Sequence, residues 1–249
     1  MMRLDGVEIK VSLAGPSVAD ALEKLDVDRH DETPRRRGVG FIEDISPRSD
    51  LPLFHCGVVL RVRRAIDTDD EGDSTIKLRP CRRRQLHASW RDATKGKDWE
   101  LKVEEDWAGP RRVLAVSCCS NLPTARVDAV LDGSEGISHL FEKRQEAFLR
   151  ECCEPPPGLD GLTLLPLIES TRWDEVPVGS VEKVVVERWR IDDLDFLELS
   201  ARADDRDQAA ELQEDLQRAV DDLALASDDA EESKTARVLA HLVERARHT

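Results

Sequence analysis

Several short stretches of the chain carry charged residues two positions apart, set between apolar ones. Glu8 and Lys10, Arg61 and Arg63, Lys77 and Arg79, Glu100 with Lys102 and Glu104, and Arg188 with Arg190 all have this spacing. In a β-strand, side chains two apart share a face, so each set would present its charges together. The alternate positions are apolar: Val7, Ile9 and Val11; Leu60 and Val62; Ile76 and Leu78; Leu101 and Val103; Leu197 and Leu199. On an open sheet such charges make an ordinary solvated face. In a closed barrel whose apolar side is covered by helices, the same charges would line a polar interior. A lumen of arginines and lysines needs an anionic guest, because like charges taken out of water are costly without counter-ions. Interspersed glutamates would suit a cation that bridges to that guest.

Periodicity outlines the elements that must hold these charges. Val7 to Leu13 alternates as a strand, and Ser17 to Leu25 has the apolar spacing of a helix. Strand patterns follow at Gly38 to Ile45, Val58 to Arg64, Ser74 to Leu78, Trp99 to Glu104 and Val113 to Ser117, separated by Gly, Pro and acidic turns. Gly136 to Cys153 reads as a helix that Pro155 to Pro157 terminate. Strand patterns return at Leu162 to Ile168, Ser170 to Asp174, Glu182 to Ile191 and Phe196 to Arg202. Asp207 to Leu223 and Glu231 to Arg247 read as amphipathic helices joined by the polar stretch Ala226 to Ala230. The simplest partition is one α+β domain over 1–249, with strands at about 5–125 and 160–202, a helical insertion at about 136–154 and C-terminal helices at about 205–248.

Composition narrows the functions available. A chain of 249 residues with 40% hydrophobic content can bury a sizeable core. The apolar runs, such as Cys56 to Leu60, are too short to cross a bilayer, and no cleavable signal is visible, so a cytoplasmic protein without membrane contact is expected. The net charge of −15 disfavours a nucleic-acid surface. Positive charge is nonetheless concentrated between Leu60 and Arg84, while Asp67, Asp69, Asp70, Glu71 and Asp73 place acid in a loop. The triplets Arg35–Arg37 and Arg82–Arg84 read as exposed loop charge. The six cysteines form no C-x-x-C pair, and no histidine stands at ligand spacing, so zinc is not expected. No phosphate-cradling loop, nucleophile elbow or Ser-His-Asp arrangement can be read. Ser233-Lys234-Thr235 reads as a helix-capping region.

In order along the chain, Val7-Glu8-Ile9-Lys10, the segment Cys56 to Arg63, Ser74 to Pro80, Trp99 to Glu104 and Phe196 to Ser200 resemble the strand motifs of the CYTH, or triphosphate tunnel metalloenzyme, superfamily. Its opening strand carries E-x-E-x-K, one middle strand G-x-x-L-R-x-R, and its closing strand F-x-E-x-E. The resemblance implies a closed antiparallel eight-stranded β tunnel with helices packed outside. It also implies metal-dependent hydrolysis of an inorganic, organic or nucleoside triphosphate, or, alternatively, a tunnel that binds polyphosphate or nucleotide as a sensor or scaffold. A nucleotide cyclase, also known in that superfamily, would need a base pocket, and nothing in the sequence indicates one.

By the resemblance, Glu8 and Lys10 would act in catalysis, and Lys10, Arg61, Arg63, Lys77 and Arg79 would hold the phosphates. Arg172 and Arg188 would join them from later strands or serve as structural ion pairs. Glu8, Glu198 and Glu104 would hold Mg²⁺ or Mn²⁺. Gly6 and Ser200 stand where the motifs have glutamate, so the expected ion is weakly held. The expected partner is a triphosphate or polyphosphate; the oligomeric state is not encoded in any of these features.

Overall fold

Alternation in the first strand decides which of its faces is buried. In β1 (Gly6–Ala14), Val7, Ile9 and Leu13 have no exposed surface, while Glu8 and Lys10 point the other way. The computed structural model describes residues 4–30, 33–46, 50–66, 72–91, 95–228 and 233–247. The other strands are β2 (Arg35–Glu43), β3 (Val58–Ala65), β4 (Gly72–Leu78), β5 (Trp99–Ala108), β6 (Arg111–Leu122), β7 (Thr163–Leu164), β8 (Ile168–Val178), β9 (Val181–Ile191) and β10 (Leu194–Ala203). They form one sheet in the order β3-β4-β6-β5-β1-β10-β9-β8-β2, and β2 pairs back onto β3, with Arg37 opposite Ala65 and Ile42 opposite Leu60. The sheet therefore closes into a ring. β7 adds two residues beside the end of β2.

The ring departs from the expected eight antiparallel strands in two linked ways. Nine strands close it, with the short β7 as a tenth. Strands cannot alternate direction around a ring with an odd number of members, so at least one pair must run parallel. That pair is β1 and β5, in register from Gly6 opposite Glu104 to Lys10 opposite Ala108.

Helices cover the outer wall. α1 (Ser17–Leu25), α2 (Val27–His30) and α7 (Arg206–Asp222) bury Ala21, Leu25, Leu216 and Val220 against Val7, Ile9, Leu197 and Leu199. On the other side, α4 (Ala88–Arg91), α5 (Thr124–Leu131) and α6 (Lys143–Cys152) bring Trp90, Val127, Phe148 and Leu149 against Leu60, Ile76 and Leu101. The short α3 (Pro52–His55) precedes β3. The single helix expected over 136–154 is a 3-10 turn, Ile137–Leu140, followed by α6, because Glu142 and Gln145 form a capping box that starts a new helix. Of the strand expected at 162–168, only Thr163–Leu164 pairs; Ile168 already belongs to β8. Arg35–Arg37 are not loop residues but the start of β2, paired with β8 and, at Arg37, with β3. Asp67, Asp69, Asp70 and Glu71, Ala230 at the end of the expected polar joint, and Glu231 at the start of the last expected helix lie outside the described residues. None of the described helices is long and apolar enough to cross a membrane.

α8 (Lys234–Arg247) departs from the outside packing expected of the helices. Its Val238, Leu239, Leu242 and Val243 pack on Val39, Phe41, Trp189, Ile191 and Phe196. By strand parity, Trp189 and Phe196 belong to the same face as Glu187 and Glu198, which look into the ring. α8 thus covers the rim where β1, β2 and β9 end and β8 and β10 begin.

Candidate functional site

Parity turns Glu8 and Lys10 of β1, Arg61 and Arg63 of β3, Lys77 of β4, Lys102 and Glu104 of β5, Arg172 of β8, Glu187 of β9 and Glu198 of β10 toward one cavity of about 410 Å³. Arg79, one residue past β4, joins them. The wall carries eleven cationic side chains and four carboxylates. Its charge is therefore opposite in sign to that of the whole chain.

Asp106 of β5 organises one side of this wall. Its side chain has no exposed surface; Lys77 Nζ donates to Oδ2 at 3.2 Å, Arg79 Nε lies 2.9 Å from the same oxygen, and Lys10 Nζ is 4.0 Å from Oδ1. Burial favours the neutral acid, but the charges of Lys10, Lys77 and Arg79 outweigh it and hold Asp106 below the ordinary carboxylate range. Lys10 is balanced in the opposite way. Burial works against its charge, yet Glu8, Glu198 and Asp106 together raise its pKa. Asp106 extends the alternation of Glu100, Lys102 and Glu104 by one more step, which is the sequence signal that could have found it.

The arginines on β2, β3 and β8 are less well neutralised. Arg63 has Asp73 at 3.6 Å, but Arg61 makes no ion pair among the described residues, and the buried Nε atoms of both have no hydrogen-bond partner there. Burial depresses the pKa of Arg37, Arg61 and Arg172, and the charge of Arg63 adds to it in each case. Arg172 also donates to Asp174 Oδ1 at 2.9 Å. Glu187 accepts from Ser170 Oγ at 2.7 Å. Burial would raise the pKa of Glu187, but Lys234 and then Arg63 hold it below the usual range.

Each carboxylate expected to hold a divalent ion has a cation of the protein beside it. Glu8 lies 2.9 Å from Lys10, Glu104 2.6 Å from Arg202, and Glu198 3.5 Å from Lys234. A Cβ at Gly6 would sit 2.9 Å from the Ala203 carbonyl oxygen and 3.1 Å from Arg202 Nε, so Arg202 fills the space where the resemblance would place a glutamate. No group of three or more His, Cys, Asp or Glu side chains among the described residues is arranged to hold a metal. The donor set fits protein cations and does not fit a divalent ion.

The structure brings Glu8, Lys10, Arg61, Arg63, Lys77, Arg79, Glu104, Arg172 and Glu198 to one cavity. Arg188 is the exception: β9 turns Glu187 and Trp189 inward, so Arg188 faces out and donates to Asp195 Oδ1 at 2.9 Å. Its spacing with Arg190 identified a shared face but not which side that face was on. Glu187, Arg202 and Lys234 line the cavity without having been singled out for it, and Lys234 lay in a stretch that reads as a helix cap.

Among solved structures, the chain is similar to HpAC1 from Hippeastrum, a candidate adenylyl cyclase with a dominant triphosphatase activity, at a TM-score of 0.58 and 13% identity over 95% of this chain and 96% of that one. It is equally similar to a candidate adenylate cyclase from Bacillus halodurans, at a TM-score of 0.58 and 11% identity over 95% and 98% of the two chains. No protein-family model and no curated protein matches the sequence. At these identities the likeness is one of fold alone.

Proposed function

We propose that the chain binds a triphosphate, inorganic or carried on an organic group, inside the ring, and holds it by side-chain charge. The observation that carries this reading is Arg61. A guanidinium enclosed in protein, crowded by Arg63 and without an ion pair among the described residues is poorly compensated unless an anion comes to it. Arginine suits a phosphate group because its planar fork contacts two oxygens at once. The cavity, at about 410 Å³, has the size of a small-molecule site. Asp106 gathers Lys10, Lys77 and Arg79 from β1 and the end of β4, so a linear polyanion held at Arg61 on β3 would meet further cations along the same cavity. Titration calorimetry with inorganic triphosphate, compared with sulfate and with an Arg61→Gln variant, tests the reading. Selective binding that the variant weakens supports it; equal, weak heats for triphosphate and sulfate would sink it.

Turnover of the bound triphosphate is a second reading, in line with the activity ascribed to HpAC1. The observation that favours it is Glu8, whose carboxylate keeps 34% of its side-chain surface open beside Lys10. Phosphate release from triphosphate, measured with and without Mn²⁺ for wild type and for the Glu8→Ala, Glu198→Ala double variant, decides it. Equal inertness in both proteins would leave binding alone.

A further inference from the structure

We propose that Lys234 is a built-in cation that takes the place of a divalent ion in this cavity, so that a polyphosphate is bound without metal. This rests on the anion-binding reading above. Lys234 comes from the first turn of α8, and its side chain is only 6% exposed, yet its Nζ has no hydrogen-bond partner among the described residues. The ammonium lies 3.5 Å from Glu198 Oε2 and 3.9 Å from the centroid of the Trp189 ring, on the cavity side. It is also the strongest of the charges that keep Glu187 ionised.

A divalent ion bridging carboxylate and phosphate does two things: it neutralises the carboxylates, and it offers remaining positions to phosphate oxygens. Lys234 supplies both. Its charge stands beside Glu198 and Glu187, and its buried ammonium spends none of its three N–H donors on a hydrogen bond among the described residues, which leaves them for a phosphate oxygen that packs against it. The face of Trp189 also supports the cation, because an aromatic quadrupole attracts it and makes no demand on its donors. Near the opposite mouth, Arg202 over Gly6 treats Glu104 in the same way. Two expected glutamates are missing from the strands, and two protein cations stand beside carboxylates that remain.

The test is the affinity for tripolyphosphate by titration calorimetry, in EDTA and in Mn²⁺, for wild type, Lys234→Gln, Lys234→Arg and the Lys234→Gln, Glu198→Gln double variant. Wild type should bind within about threefold equally in the two buffers. Lys234→Gln should lose tenfold or more in EDTA and regain it in Mn²⁺, because Glu198 and Glu187 then lack their cation. Lys234→Arg should behave as wild type, and the double variant should not respond to Mn²⁺. Thermal melts identify any variant that fails to fold, in which case Lys234→Arg and the metal dependence of wild type still decide. The inference is overturned if wild type needs Mn²⁺ to bind, if Lys234→Gln equals wild type in EDTA, or if its loss is not restored by Mn²⁺. A wild type that binds tripolyphosphate in neither buffer overturns the anion-binding reading instead, and this inference with it.

Discussion

Arg79 Nε lies 2.9 Å from Oδ2 of Asp106, a carboxylate with no exposed surface. Lys77 and Lys10 converge on the same group from β4 and β1. One buried acid therefore arranges three of the cavity's cations before any guest arrives. Asp106→Asn should leave those cations crowded and cost about 3–5 kcal/mol of stability, the range for breaking a buried ion pair on one side. Triphosphate should then raise the melting temperature of the variant more than that of wild type, since the guest replaces a missing negative charge. Chemical denaturation and thermal melts measure the two effects. A variant as stable as wild type would show that Asp106 is not the organising charge.

Acid should remove part of this stability. Asp106 and Glu187 both titrate below the ordinary carboxylate range in the folded protein. A carboxyl group depressed by folding adds stability that is fully present above its unfolded pKa, about 4, and is lost as pH falls toward its folded value. Glu104, which burial pushes upward, acts in the opposite sense. Urea unfolding of wild type and Asp106→Asn near neutrality and at about pH 3 should show the gap between them narrowing in acid. A constant gap would contradict this account.

Arg61 and Arg188 differ in the side of the strand they occupy, and binding should report that difference. Arg61→Gln should weaken triphosphate binding by tenfold or more, about 1.4 kcal/mol, without loss of stability, because it relieves crowding with Arg63. Arg188→Gln removes only an outward pair with Asp195 and should leave affinity unchanged. Calorimetry on the two variants side by side checks both, and equal losses would mean that the strand parity does not govern recognition.

The packing of α8 should control exchange as well as stability. Leu242 has no exposed surface and is packed with Phe41, Trp189 and Phe196. Leu242→Ala should cost about 2–5 kcal/mol. It should also speed dissociation of bound triphosphate in stopped-flow measurements, since Lys234 rides on the same helix. Dissociation unchanged in a destabilised variant would separate the helix from the site.

The wall of the cavity was legible because a strand's two faces repeat every second residue: Glu8 with Lys10, Arg61 with Arg63 and Lys77 with Arg79 could be paired from spacing alone. Spacing does not say which face turns inward, and for Arg188 the neighbours Glu187 and Trp189 decided it. Nor does it show partners brought by distant segments. Asp106 meets Lys77 and Arg79 only because β6 lies between β4 and β5, and Lys234 arrives from a helix far along the chain. The strand count was hidden for a similar reason, since the parallel contact of β1 with β5 joins segments almost a hundred residues apart and leaves no local signature.

The seating of α8 over one rim changes what kind of container the ring is. A ring blocked at that rim would be a blind well and not a passage. A long polyphosphate could enter only by a terminus, and its middle could not thread through. Recognition would then count chain ends, so that a given mass of phosphate would saturate more protein when cut into short chains than when left in long ones.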